Sequence, residues 1–366
     1  NGVFLSGFIV YLNGSDFLVG LLNNSANWAS IVSIMSFLIF EKMKKRKKFL
    51  ITLNMTARIL ICSIVFLPIV FHNSRLILNA LAFMVVTGNI IWGFYSIGIT
   101  VMMVSLLDNE TRNQFIYVRM FWLRISFTIS SVIMGFVLDY FNKGYNGFLV
   151  VFITSLVLSL ADAAVLSRVD EPEYNIENPN LFFEPIKDKN YRRFIVFIFL
   201  FYLFLTASTS YTSLYLIRYL KFDYSFITII NVVQYILMVV CTNFWRRIER
   251  EKGIKYVLLF TSCLAVAEVF IYSFLTDKTY FLLFIAPVIS GIGYGGFNIA
   301  ILNYRDELIP ENNKTIYEGW FNAAFGLSNL ISPIAGSIIM NTLPVVNNSI
   351  YMHSSFQFLY LISAIC

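Results

Sequence analysis

The sequence predicts an all-α integral membrane protein whose helices fall into two six-helix halves. Three observations predict it. Apolar residues make up 58% of the 366-residue chain and charged residues only 13%, against about 25% charged in ordinary soluble domains; the mean hydropathy is +0.72. A soluble fold of this size needs far more polar surface, so the apolar side chains face lipid. The apolar residues also gather into runs near the ~20 residues that a helix needs to cross a bilayer. Finally, Lys and Arg sort to alternate loops, as orientation by positive charge demands.

Ten runs lie at about 17–40, 49–71, 76–106, 115–140, 147–167, 193–219, 223–244, 254–275, 279–303 and 318–341, each placed by its apolar length. Residues 1–12 read as the end of a helix begun earlier, because position 1 is Asn and not Met. The stretch "YMHSSFQFLYLISAIC" at 351–366 reads as a helix cut short. The expectation is twelve spans, the first and last truncated in this chain.

The stretch "FEKMKKRKKFL" at 40–50 puts six Lys or Arg between Lys42 and Lys48. The spans on either side fix it to a loop at the membrane surface, so it is a topological signal and no nucleic-acid patch. If that loop is cytoplasmic, so are the loops with Arg112 and Arg119, Arg168 to Arg193, Arg246 to Lys255, and Arg305 with Lys314. Together these hold 20 of the 27 Lys and Arg. The opposite face keeps five, Arg75, Lys143, Arg218, Lys221 and Lys278, while Arg58 and Arg124 sit inside spans. The expected setting is a prokaryotic cytoplasmic (plasma) membrane, multi-pass and monomeric, with the basic loops in the cytoplasm.

The longest polar segment, 167–193, holds three of the eight prolines and divides the spans six and six. It reads as a cytoplasmic linker between an N-terminal half, 1–166, and a C-terminal half, 194–366. The halves carry a faint internal repeat. "YLNGSDFLVGLLNN" from Tyr11 resembles "YLKFDYSFITIINV" from Tyr219, with Asn23 matching Asn231 at an offset of 208. "KRKKFLITL" from Lys45 matches "KGIKYVLLF" from Lys252 at 207, and Arg112 matches Lys314 at 202. Repeated halves around a central cavity are the architecture of secondary transporters.

Here the sequence resembles the major facilitator superfamily (MFS), over essentially its whole length. The loop between the second and third helices in that family reads Gly-x-x-x-Asp-Arg/Lys-x-Gly-Arg-Arg/Lys. "FLIFEKMKKR" fits with Glu41 as the acid, Lys42 as the first base, and Lys45 and Arg46 as the closing pair; Phe37 and Lys44 replace the glycines. "LLDNETR" and "ELIPENNK" look like the loops after the fourth and tenth helices, and "NAAFGLSNLISPIAGSII" from Asn322 like an eleventh helix. The resemblance implies a 6+6 bundle and alternating access. It also makes Glu41, Arg46 and Arg112 a candidate cytoplasmic gate, with a solvated topological loop as the equal alternative.

In that family the first, fourth, seventh and tenth helices line the cavity. The fourth carries Asn89, Trp92 and Ser96 on one face, and the tenth carries Gly291, Tyr294 and Asn298 at the same spacing, each 202 residues on. The seventh is unusually polar, from Thr206 to Tyr211, and the eighth adds Asn231 and Gln234. Polar groups in hydrocarbon need partners and turn inward, into a cavity or into interhelical contacts. The candidate substrate-binding set is Asn89, Trp92, Ser96, Tyr211, Asn231, Gln234, Tyr294 and Asn298. Without a dominant charge, it suits a neutral polar or amphipathic solute, sugar-like or drug-like. "GIGYGG" at 291–296 lies inside a span, where close helix packing explains it better than phosphate binding.

The intramembrane charges are candidates for coupling to H+ or Na+. Arg58 lies ten residues past Lys48, ~15 Å of helix and about mid-membrane. Glu268 falls within a turn of the equivalent position in the second half, and Arg124 lies in the fifth helix. Structural pairing and ion coupling stand as the two readings for these residues. The fourth helix lacks the Arg of many proton-coupled relatives, and the fifth lacks the Gly-x-x-x-Gly-Pro run of drug antiporters.

Four cysteines and two histidines have no metal-ligand spacing, and no nucleotide-binding loop or nucleophile with a base partner stands out. The expectation is no cofactor, no metal, no enzyme activity and no direct ATP drive. The expected function is secondary active transport of a small polar or amphipathic solute across the bilayer, with ion coupling. The alternatives are a drug or metabolite efflux antiporter, and a non-transporting sensor or lipid-handling protein.

Overall fold

The computed structural model describes residues 2–40, 43, 45–106, 109–172, 183–276, 278–310, 314–342 and 355–366. The described chain is helical: α1 (Gly2–Tyr11), α2 (16–40, from Asp16–Asn23, Ser25–Trp28, a 3-10 turn Ala29–Val32 and Ser33–Phe40), α3 (Lys47–Val70) and α4 (Ser74–Ser105). Then follow α5 (Asn109–Tyr140), α6 (Tyr145–Leu166), α7 (Lys189–Tyr219), α8 (Tyr224–Lys252) and α9 (Ile254–Tyr272). The last are α10 (Leu282–Leu308), α11 (Lys314–Thr342) and α12 (Ser355–Ile365). Among the described residues nine helices are long and apolar enough to cross a membrane, and α1 and α12 are shorter apolar helices. The fold is the expected all-α membrane bundle.

Helix ends depart from the apolar runs where polar residues continue the helix. α8 runs past the apolar run to Lys252 because Arg, Glu and Lys are good helix formers, and Arg247 pairs with Glu251 one turn on at 3.1 Å. Gly253, at φ +86°, ends it in a conformation side chains disfavour. The glycines of 291–296 do what the sequence suggests. A Cβ on Gly291 would stand 2.7 Å from the Gln234 carbonyl oxygen and one on Gly295 2.7 Å from that of Met238, so α10 lies directly against the α8 backbone. Gly293 faces Leu264 of α9 in the same way.

Among the described residues, two long seams between the halves run along α2–α11 and α5–α8. Along α2 and α11, Ser33 Oγ donates to the Gly319 carbonyl (3.2 Å), Ser30 Oγ to that of Asn322 (2.9 Å), and Asn24 Nδ2 to Asn329 Oδ1 (2.8 Å). Asn24 Nδ2 also meets the Asn329 carbonyl at 3.2 Å. That carbonyl is without its helical donor because Pro333, four residues on, has no N–H. The contact thus fills a bond the helix cannot make. Along α5 and α8, Gly135 abuts Ser225 and Thr228, and the Phe127 and Tyr235 rings meet edge to face at 6.1 Å.

α7 is discontinuous. Its α-helix ends at Thr209, and after Tyr211 comes a short turn, Thr212–Leu214, followed by a π-turn, Tyr215–Tyr219. The Ser210 carbonyl at the break accepts from Asn23 Nδ2 of α2 (3.0 Å), and the Tyr211 hydroxyl donates to the Pro333 carbonyl (2.6 Å). Backbone groups freed within a membrane need such partners.

Candidate transport and coupling site

Repeat-related helices make repeat-related bonds. In the first half Asn89 of α4 donates to Ser25 Oγ of α2 (2.9 Å). In the second, Gln234 of α8 donates to Ser290 Oγ of α10 (2.7 Å). Each is an amide-to-hydroxyl bond between corresponding helices, with donor and acceptor exchanged, and the positions lie within one residue of the 208 and 202 offsets.

The second-half bond belongs to a larger cluster. Glu268 of α9, 6% exposed, lies 3.4 Å from Gln234 Nε2, and its carboxyl also hydrogen-bonds the Ser290 and Tyr272 hydroxyls. Tyr294 of α10 and Tyr360 of α12 are the further titratable groups near it. Among the described residues no Lys, Arg or His pairs with this carboxyl. Burying a carboxylate without a countercharge is costly, so the amide and hydroxyls around Glu268 are what satisfy it.

The first half answers with a cation. The Arg58 guanidinium of α3 lies 3.8 Å from the centroid of the Trp92 ring of α4, and Trp92 packs against Tyr95 at 4.9 Å. Asp162 of α6 is near enough to act on Arg58 through space, but its direct hydrogen bond comes from Asn54 Nδ2 (2.9 Å). Arg58 and Glu268 thus belong to separate clusters in separate halves. Arg124 is half-buried on α5 beside Tyr235 of α8, at the seam.

The remaining candidates divide by exposure. Asn89 and Tyr211 are buried and bonded into helix contacts. Ser96 is half-buried and returns its hydroxyl to the Gly93 carbonyl of its own helix (3.0 Å). Asn231 and Tyr294 are half-buried, and Asn298 is exposed, its amide nitrogen 3.4 Å from the Met238 sulfur.

Of the cytoplasmic-gate trio, Glu41 lies outside the described residues, as does the Arg112 side chain. Arg46 is buried, with its Nε on the Met43 carbonyl (3.1 Å) and its guanidinium 5.9 Å from the Phe40 ring. Among the described residues a different acid reaches this loop. Glu171, from the segment after α6, accepts from the backbone N–H of Arg46 and of Lys47 (2.8 Å), capping the start of α3. In the last turn of α8, Glu249 stands 208 residues after Glu41 and accepts from Asn303 of α10 at 2.8 Å.

At the opposite end the halves are bolted together by residues the sequence did not single out for a site. Arg218, in the π-turn of α7, pairs with Asp16 of α2 and donates to the Gly14 carbonyl (2.6 Å), while the Tyr219 hydroxyl donates to Asp16 (2.6 Å). Asp139 of α5 accepts from the backbone N–H groups of Tyr224 (3.0 Å) and Ser225 (2.8 Å), capping α8 from the other half, and Lys143 pairs with Asp223 at 2.6 Å. Nothing local announces a cap supplied from 85 residues away.

The comparisons agree with this architecture. A mutant form of the nucleoside transporter NupG superposes with a TM-score of 0.75 at 15% identity, covering 99% of this chain and 91% of that one. A D-xylose-proton symporter superposes at 0.69 with 13% identity, covering 100% and 93%. A bacterial homologue of the iron transporter ferroportin, in an inward-facing state, superposes at 0.65 with 17% identity, covering 99% and 93%. No curated protein sequence matches the chain. The family description Major Facilitator Superfamily matches residues 2–333 and 250–366. With that match over nearly all its length, a bundle of apolar helices and transporters of the same fold, the chain belongs to the Major Facilitator Superfamily, as a multi-pass membrane protein.

Proposed function

We propose that the protein moves a small, neutral polar or amphipathic solute across the membrane by alternating access, driven by a proton bound at Glu268. The observation that carries the reading is the Glu268 cluster itself. A carboxyl buried between α8, α9 and α10 is surrounded by an amide and hydroxyls, with no cation among the described residues to fix it as an anion. A helix that needed only packing would be better served by an apolar residue. The shared fold with a D-xylose-proton symporter supports proton drive without identifying this protein's solute.

Positive charge on the loops puts α2–α3, α8–α9 and the linker after α6 in the cytoplasm. The bolts at Asp16–Arg218 and Asp139–α8 then close the outer face. The described α5–α8 contacts run from that face to Phe127–Tyr235, and the α2–α11 seam continues to Ser33–Gly319, toward the cytoplasmic ends of those helices. Asn231, Tyr294 and Asn298 keep exposed surface and are the favoured solute contacts, together with Trp92 and Ser96.

The test is uptake into vesicles containing the purified full chain, screened over nucleosides, sugars and amphipathic amines with and without a pH gradient. Accumulation that follows the gradient in the wild type, and is lost in Glu268→Gln while solute exchange persists, supports the reading. Undiminished proton-driven accumulation in Glu268→Gln removes Glu268 from it, and a Na+ requirement replaces the ion. No flux of any solute would return the chain to the sensor or lipid-handling alternative.

A further inference from the structure

Resting on that reading of Glu268, we propose that Tyr360 of α12 is a positioning residue. It ties the Glu268 site to the broken end of α7, so that closure of the outer face depends on whether Glu268 carries a proton.

Three contacts connect the two places. The Tyr272 hydroxyl hydrogen-bonds Glu268 from one turn further along α9. The Tyr272 and Tyr360 rings pack at 5.7 Å, and the Tyr360 hydroxyl donates to Thr212 Oγ1 at 3.0 Å. Thr212 opens the discontinuous stretch of α7, and Arg218 and Tyr219, which hold Asp16 of the other half, close it. α12 grips the same stretch again one turn earlier. Gln357 Nε2 donates to the Tyr215 hydroxyl (3.2 Å) and to the Leu275 carbonyl (2.8 Å), and the Phe356 ring stacks on Tyr215 at 5.1 Å.

The chemistry of the first link gives the chain of contacts two settings. A carboxylate accepts from Tyr272 at either oxygen; protonation makes one oxygen a donor, and where that is the oxygen Tyr272 holds, the phenol turns or becomes the acceptor. The ring that turns is the one packed on Tyr360. Close-packed side chains shift between discrete arrangements more readily than they deform. A π-turn, lacking a regular helical ladder, is the part of α7 best able to follow. The groups facing Glu268 are Gln234 from α8, Ser290 and Tyr294 from α10, Tyr272 on its own helix and Tyr360 from α12; α7 contributes Tyr202, which acts on Tyr294. None of them is a base that would take the proton in its place.

The experiment measures outer-face closure directly. Spin labels at His72→Cys and Lys278→Cys, both exposed on outer loops of opposite halves, are placed in the full chain with its four native cysteines replaced. Their distance distribution is recorded in vesicles at acidic and alkaline pH. We expect a pH-dependent shift in the parent, its loss in Glu268→Gln, and its loss or at least halving in Tyr360→Phe, which keeps the ring and removes the hydroxyl. Thr212→Val removes the acceptor at the other end and has the same expected result, whether or not Tyr360→Phe folds. A full shift in both Tyr360→Phe and Thr212→Val, beside its loss in Glu268→Gln, overturns this inference and leaves the proton site standing. A shift retained in Glu268→Gln overturns the proton site and this inference with it, as does a parent with no shift at all.

Discussion

Arg218 of α7 reaches across the interface between the halves to the carboxylate of Asp16 on α2, and its second nitrogen takes the Gly14 carbonyl. The Tyr219 hydroxyl donates to the other Asp16 oxygen at 2.6 Å. One side chain thus gathers two charge-assisted bonds from the opposite half, which is worth more than an isolated surface pair of about 0–1 kcal/mol.

Removing Asp16 is expected to loosen the outer face. Asp16→Ala leaves Arg218 partly buried without its anion, and a shift of about 1–3 kcal/mol toward outer opening is the expected scale. A membrane-impermeant thiol reagent should label a cysteine at Asn23, beneath the bolt, several-fold faster in Asp16→Ala than in the parent. The charge swap Asp16→Arg with Arg218→Asp should recover part of the protection; equal labelling in all three would show that the pair closes nothing.

Asp139 caps α8 through two backbone N–H groups, and losing such a cap costs about 0.5–2 kcal/mol. Asp139→Ala should lower the melting temperature of the purified protein in detergent, with Asp139→Asn between it and the wild type because the amide keeps one acceptor. The reverse order would mean that charge repulsion, and not capping, governs this position.

Arg58 depends on the face of Trp92. A desolvated cation–π contact is worth about 2 kcal/mol, and Lys cannot stack as a planar guanidinium does. Trp92→Leu and Arg58→Lys should each destabilise the protein. Their double mutant should cost less than the two single losses together in a thermal double-mutant cycle. Strict additivity would place the Arg58 charge with Asp162 instead.

Gly291 lets α10 lie on the Gln234 carbonyl, where a Cβ would stand at 2.7 Å. Gly291→Val should force the α8–α10 contact apart and, with it, the Gln234–Ser290 bond. The expected result is a marked fall in folded protein on size-exclusion chromatography; a wild-type yield would show that the contact gives way without cost.

The bundle was legible because it is written in long-range composition. Runs such as 223–244 and 254–275 are apolar enough to demand lipid whatever they pack against, and the sorted Lys and Arg order them. The close packing at Gly291 and Gly295 was legible for the same reason, since glycine inside a span has few other uses. The polar candidates were harder. Asn89, Trp92 and Ser96 share a face by spacing, but Asn89 goes to Ser25, Trp92 to Arg58 and Ser96 to its own backbone. Spacing gives direction around one helix, not the identity of the neighbour it meets.

By itself the sequence determined that the chain is a multi-pass helical membrane protein, with expectations for which loops share a face. These follow from the cost of placing polar groups in hydrocarbon, a property of each segment alone. Tertiary structure alone decided that Glu171 caps α3, that Asp139 caps α8, that Asp16 holds Arg218, and that Glu268 joins Gln234 and Ser290 while Arg58 goes to Trp92. Each is a bond between residues far apart in the chain, made because a freed backbone group or buried charge must be satisfied by whatever the packed neighbour offers.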